Sequence, residues 1–170
     1  IRILIRRVQL IGAAHEKSLI PVFSYTTQHY YRIFFRCEKG KEKADAAISR
    51  HKFLLYNKRT MERKLADDVF NREAKTGGWI YAGPMWTGQL WDQKLVKEMV
   101  GRTDPTNREL FSMIKIIEEE CQIEAVGFYD LHGLAKLSKK PLSKIEKVLK
   151  KGITSRTHFL GWGVRTTRPI

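Results

Sequence analysis

The run Ser155-Arg156-Thr157-His158-Phe159-Leu160-Gly161-Trp162-Gly163-Val164-Arg165-Thr166-Thr167 constrains this chain more than any other. Its alternation, broken by glycines, predicts two short strands joined by a turn. The segment before it, residues 143–151, opens with Ser143 and Glu146 at capping-box spacing and puts Ile145, Val148 and Leu149 on one helical face before Gly152 stops it. A helix followed at once by a basic hairpin is the recognition half of a winged helix-turn-helix. Upstream, Asp104-Pro105 opens a helix over 105–120, with Leu110, Ile114, Ile117 and Cys121 on one stripe. A strand over 123–128, a helix over 131–138 capped by Asp130, the helix at 143–151 and a hairpin over 153–167 complete the order expected of a winged helix.

Charge singles out the same region. Between Gly133 and Ile170 ten Lys or Arg stand against the single acid Glu146, so these residues hold nine of the chain's net +14 charges. Such a concentration predicts a polyanionic partner, and the 11% aromatic content favours nucleic acid, whose bases stack on rings, over a membrane surface. The expected contacts are Lys139, Lys140, Lys144, Lys147, Arg156, His158 and Arg165. Alternation within the first hairpin strand would turn Arg156 and His158 outward and put Phe159 on Val148 or Leu149. A winged helix used for docking proteins remains the alternative, since that fold serves both tasks.

Residues 1–103 predict a separate α+β unit. Leu4, Val8 and Ile11 form a stripe along a first helix over 1–15, with Arg2, Arg6 and Arg7 mostly off it; the arginines could face RNA, but packing of the helix on a missing domain is the favoured reading. His29 to Cys37 alternates as a strand, and Tyr30, Arg32 and Arg36 on one of its faces are candidate RNA contacts, unless Tyr30 and Phe34 only cover a core. A helix over 41–49, a strand over 53–56, a charged excursion over 57–78 and a short strand at 79–82 follow. The loop from Gly83 to Trp91 carries Trp86 and Trp91, either as an aromatic platform for a base or as a buried plug. Asp92 caps the next helix, whose inward residues are Leu95, Val96, Met99 and Val100. The fold class expected is α+β: a small β-sheet with helices packed on one face in residues 1–103, then a winged-helix-like basic module in 104–170.

Several chemistries lack their residues. Cys37 and Cys121 build neither a disulfide framework nor a zinc site, and both are expected to be buried thiols. Asp130, His132, Ser155 and His158 resemble a hydrolytic set, but no G-x-S-x-G turn accompanies them. Walker, dinucleotide-binding and paired metal-ligand motifs are missing, so no catalytic and no metal residues are assigned. No apolar run reaches the roughly 20 residues of a membrane-spanning helix, and a cytoplasmic protein is expected. The chain begins at Ile1 inside a helical pattern, which suggests that an N-terminal part lies elsewhere.

Five blocks in order resemble the tRNA guanine-N2 dimethyltransferases that act on guanine 26, most of all their archaeal members. They are Arg2-Ile3-Leu4 with Ala13-Ala14, His29 to Arg36, Ala82 to Asp92 with its Gly83-Pro84-Met85-Trp86 core, Gly127 to His132, and Ser155 to Phe159 with Gly163 to Thr166. The resemblance is to the C-terminal half of those enzymes. It implies an N-terminal methyltransferase domain that binds S-adenosyl-L-methionine and carries the catalytic Asp of an Asp-Pro-Phe-Gly type motif. Here Asp104-Pro105 is followed by Thr106 and Asn107. Some members carry paired cysteines between the positions of Tyr56 and Ala82; this chain has none there, so zinc is not expected.

These readings converge on a tRNA-binding C-terminal portion of an S-adenosyl-L-methionine-dependent guanine-N2 methyltransferase. Its partners would be tRNA and its own N-terminal methyltransferase domain, the cofactor would sit on that absent domain, and the fragment alone would be inactive. The alternatives are a winged-helix DNA-binding regulator, for which residues 143–151 offer only Lys beside Ser143 and Glu146 where base readers use Arg, Asn or Gln, and a protein-docking scaffold.

Overall fold

A computed structural model describes residues 1–27, 30–69, 78–139, 141, 144–150 and 153–167. The chain divides into two compact units, residues 1–24 with 31–88, and residues 25–30 with 89–170.

In the first unit helix α1 (Arg2–Ala13) leads into the hairpin strands β1 (Lys17–Thr27) and β2 (Tyr30–Lys39), whose tip belongs to the second unit. Helix α2 (Lys41–Ile48) follows, and strands β3 (His51–Asn57), β4 (Arg63–Ala66) and β5 (Trp79–Trp86) form an antiparallel sheet ordered β4-β3-β5. Strand β5 runs through Gly83-Pro84-Met85-Trp86, where a loop was expected, because pairing with β3 continues from Trp79 to Trp86 across one register shift. The charged excursion contains β4 for the same reason, since Arg63–Ala66 pairs with Phe53–Tyr56.

Helix α1 faces the rest of its unit with Ile5, Gln9 and Gly12, while Leu4 and Ile11 of its apolar stripe are 45% and 58% exposed. Two features chose this face. Gln9 satisfies its buried amide twice, donating through Nε2 to the Leu19 carbonyl (2.9 Å) and facing His51 Nε2 through Oε1 (2.8 Å). Gly12 lets the chain approach closely, as a Cβ there would lie 2.7 Å from Leu19 Cδ1. Arg2 ties the helix start to the end of β5 by donating from Nη1 to the carbonyls of Trp86 (2.9 Å) and Gly88 (2.8 Å). Ile5, Phe23, Ala44, Ala47, Leu55, Met61, Met85 and Trp86 make the core of this unit.

The second unit contains α3 (Gln93–Arg102), α4 (Arg108–Glu120), β6 (Tyr129–Asp130), α5 (Leu131–Ser138), α6 (Ile145–Leu149), β7 (Thr154–Thr157) and β8 (Leu160–Thr166). Its antiparallel sheet is ordered β6-β8-β7. The division falls at Gly88/Gln89 and not at 103/104, because Leu90 and Trp91 are buried here and α3 packs on α4. Asp92 caps α3 by accepting from the amides of Lys94 and Leu95. Helix α4 starts at Arg108, later than expected, because Asn107 is its cap while Asp104 turns the chain by accepting from Thr106 N (2.8 Å). Of the predicted stripe, Ile114, Ile117 and Cys121 are buried and Leu110 is exposed.

No strand forms over 123–128; pairing is confined to Tyr129 and Asp130. Asp130 caps α5 as expected, accepting from His132 N (2.9 Å). Helix α6 is described over Ile145–Leu149 with Lys144 at its cap position; Ser143, the expected cap, and Gly152, the expected stop, lie outside the described residues. Leu131, Val148 and Val164 form the core between α5, α6 and the sheet, with Leu134, Ile145 and Leu149 packed around them. The broad class, mixed α and β with small antiparallel sheets, is as read from the sequence. Cys37, expected inside, is exposed on β2; Cys121 is buried.

Candidate nucleic-acid interface

Burying Val148, with Ile145 and Leu149 beside it, leaves Lys144, Lys147 and Lys150 of α6 exposed. Lys139 is also exposed, in the left-handed conformation (φ 52°) that ends α5. Lys140 and Lys151 lie outside the described residues. On β7, Ser155 and Thr157 are buried and Arg156 points out. Its guanidinium sits 3.5 Å from Glu146 Oε1, both side chains largely in water, so the pair contributes about 0–1 kcal/mol. These residues are the part of the expected interface that the structure leaves facing solvent.

His158 and Arg165 do not belong to it. Strand β7 ends at Thr157 and a two-residue turn, His158-Phe159, begins there, so the alternation that was to turn His158 outward stops one residue short. The His158 and Arg165 side chains are 2% and 3% exposed and converge on Glu120, which is 0% exposed at the end of α4. Thr157 Oγ1 donates to Glu120 Oε1 (2.7 Å), as does Arg165 Nη1 (3.2 Å). His158 donates to Oε2 from Nδ1 (2.7 Å) and from its backbone N (3.3 Å). Arg165 Nη2 donates to the Ala125 carbonyl, and its guanidinium lies 5.1 Å from the Trp91 ring. Trp91 meets the His158 ring edge-on at 5.8 Å. Phe159 stacks on Phe128 at 6.0 Å, a partner different from the expected Val148 or Leu149.

Burial pushes the Glu120 carboxyl up, but the hydrogen bond and charge of His158, the Thr157 hydroxyl and the Arg165 charge outweigh it and hold it below the usual carboxylate value. Burial lowers Arg165, with Glu120 opposing. Sequence reasoning missed Glu120 and Thr157. The signal available was positional: Glu120 lies three residues after inward Ile117 and next to inward Cys121.

In the first unit, Arg32 and Arg36 lie exposed along β2. Trp86 is 1% exposed, so it is a plug and not a platform: Gly88 presses on it so closely that a Cβ there would lie 2.2 Å from its ring. Tyr30, at the hairpin tip grouped with the second unit, is exposed and packs edge-on against Tyr25 at 6.4 Å. His51 is lowered by burial and by the Arg6 charge. Among the described residues no group of three or more His, Cys, Asp or Glu could hold a metal, and no helix is long and apolar enough to cross a membrane.

The model of the family described as N2,N2-dimethylguanosine tRNA methyltransferase matches residues 1–170. A tRNA (guanine(26)-N(2)/guanine(27)-N(2))-dimethyltransferase of Aquifex aeolicus is 33% identical over 98% of this chain and 44% of that protein. A tRNA (guanine(26)-N(2))-dimethyltransferase of Methanosphaera stadtmanae is 30% identical over 100% and 47%. A solved complex of Trm1 from Pyrococcus horikoshii with S-adenosyl-L-methionine superposes with a TM-score of 0.81 at 25% identity, covering 99% of this chain and 46% of that one. The chain thus spans less than half the length of these relatives. The expectation of a C-terminal tRNA-binding portion, with the cofactor on an absent domain, is corrected by these matches: the methyltransferase family's own model runs over the whole of residues 1–170. The charge that prompted it speaks to a polyanionic partner and not to a place within a longer enzyme.

Proposed function

The chain belongs to the N2,N2-dimethylguanosine tRNA methyltransferase family, and from that premise we propose that it serves an enzyme moving methyl groups from S-adenosyl-L-methionine to the exocyclic N2 of guanine 26 in tRNA. The match over residues 1–170 carries the reading. In a duplex that amine lies within a stacked pair, so the enzyme must unstack the base, at a cost of a few kcal/mol, and offset this with contacts elsewhere on the RNA. Lys139, Lys144, Lys147, Lys150 and Arg156 are our candidates for such contacts in the second unit, and Arg32 and Arg36 in the first. Phosphate contacts of this kind set position and not sequence. The winged-helix reading of the second unit belongs to the same proposal and is supported by the order α4-β6-α5-α6-β7-β8 with sheet order β6-β8-β7.

The test is methyl transfer to tRNA from labelled S-adenosyl-L-methionine by the enzyme containing this chain. N2-methylated guanine at position 26 is expected, and its absence, or equal product from a tRNA with adenine at 26, refutes the reading. Replacing Lys144 and Lys147 together by Glu should weaken tRNA binding and flatten its salt dependence, each lost phosphate contact removing about 0.7–0.9 from the slope of log K against log salt. Unchanged affinity would move the interface elsewhere.

A further inference from the structure

Trp162 stands 48% exposed on β8 while Trp86 and Trp91 are buried. Its indole is half in water and held by a neighbouring ring, which leaves one flat, amphipathic face open to a partner. Two residues along the strand, Val164 is fully buried in the core formed with Leu131 and Val148, and Trp162, within the irregular stretch of β8 between its pairings at Leu160 and Val164, reaches α5. There the ring of His132, in the first turn of α5, meets the indole edge-on at 5.0 Å and 80°. The backbone of His132 is itself fixed by the Asp130 cap. Gly161 adds no side chain beside the indole, and a Cβ built on it would have nothing within 4 Å. The cross-strand partner of Val164 is Arg156, whose exposed guanidinium therefore shares this face.

We propose that Trp162, braced by His132, is a stacking site for an unpaired nucleobase of the tRNA, with Arg156 taking an adjoining phosphate. The proposal rests on the reading of the chain as part of a tRNA methyltransferase. Charge selects the occupant: Lys139, Lys144, Lys147, Lys150 and Arg156 of this region are exposed against the one acid Glu146, and an RNA nucleotide supplies both a flat face for the indole and an anion for the cations. Paired bases hide their faces, so only a nucleotide in a loop, a bulge or a displaced position can enter. Stacking accepts any base, so the site adds affinity and register and leaves sequence unread.

The full chain, as wild type, Trp162→Ala and Trp162→Phe, is titrated with tRNA, with single-stranded RNA and with fully paired RNA of equal charge. Trp162→Ala should weaken binding of tRNA and of the single strand about 5- to 150-fold and leave the duplex unchanged, with Trp162→Phe restoring most of the loss. In the wild type, tRNA should shield tryptophan fluorescence from acrylamide, and Trp162→Phe should remove most of that shielding, because Trp162 is the most exposed indole, Trp79 being partly and Trp86 and Trp91 fully buried. An unchanged tRNA affinity in Trp162→Ala, an equal loss on duplex, or shielding by a second copy of the protein without RNA overturns the site while wild-type tRNA binding leaves the broader reading standing. A wild-type chain that binds tRNA no better than duplex DNA of equal charge overturns both.

Discussion

Removing the Glu120 carboxylate should be among the most damaging single changes this chain can suffer. The carboxylate is fully buried and receives Thr157 Oγ1, Arg165 Nη1, His158 Nδ1 and His158 N. Among the described residues, Glu120→Ala leaves the buried Arg165 guanidinium with the Ala125 carbonyl as its hydrogen-bond acceptor and removes the carboxylate to which the Thr157 hydroxyl and His158 donate. Breaking a buried pair from one side costs about 3–5 kcal/mol, most of it the penalty of the orphaned charge. Glu120→Gln keeps the volume and loses the charge, so it should fall in the same range. Replacing both partners, Glu120→Leu with Arg165→Met, should cost well under the sum of the two single losses, because no buried charge is then left unpaired.

The assay is equilibrium urea unfolding of the wild type, Glu120→Ala, Glu120→Gln, Glu120→Leu, Arg165→Met and the double variant, with the slope checked for constancy. A pH series adds an independent reading. The folded value of Glu120 lies below its unfolded one, so its contribution is fully present above the ordinary carboxylate value and is lost as pH falls through the folded value. Glu120→Gln should remove that part of the acid-side loss. A cost below about 1 kcal/mol for Glu120→Ala, the range of exposed pairs, would refute the argument that the cluster is dry and mutually dependent.

Arg156→Ala should barely move the unfolding midpoint, its pair with Glu146 being exposed, while tRNA affinity drops by about 1–3 kcal/mol; a loss of stability with affinity intact would make the residue structural. A thiol reagent at neutral pH should label exposed Cys37 promptly and buried Cys121 only on unfolding, since burial also raises the Cys121 thiol; equal rates would contradict the burial. Gly163→Ala should destabilise by more than 1 kcal/mol in urea unfolding, because the new Cβ would lie 2.5 Å from Thr157 Cγ2 and displace the hydroxyl that holds Glu120; neutrality would show that β7 yields without cost.

What the sequence settled by itself was local. Asp92 and Asp130 cap their helices because an Asp side chain reaches amides two or three residues on, whatever surrounds it. The hairpin at 154–166 and the apolar face of α6 were legible from spacing alone, and the five ordered blocks identified the family. The tertiary structure decided which face of an element is spent inside. Alternation and helical period give the relation between neighbours and not the absolute rotation, so which side of α1 meets its own unit was decided by Gln9 and Gly12, through hydrogen bonds to Leu19 and His51 and close approach to Leu19. The same holds for charge. Arg165 counted toward a basic surface until a carboxylate 45 residues away, Glu120, drew it inward with His158, a pairing no local pattern encodes because it exists only once α4 lies against the hairpin.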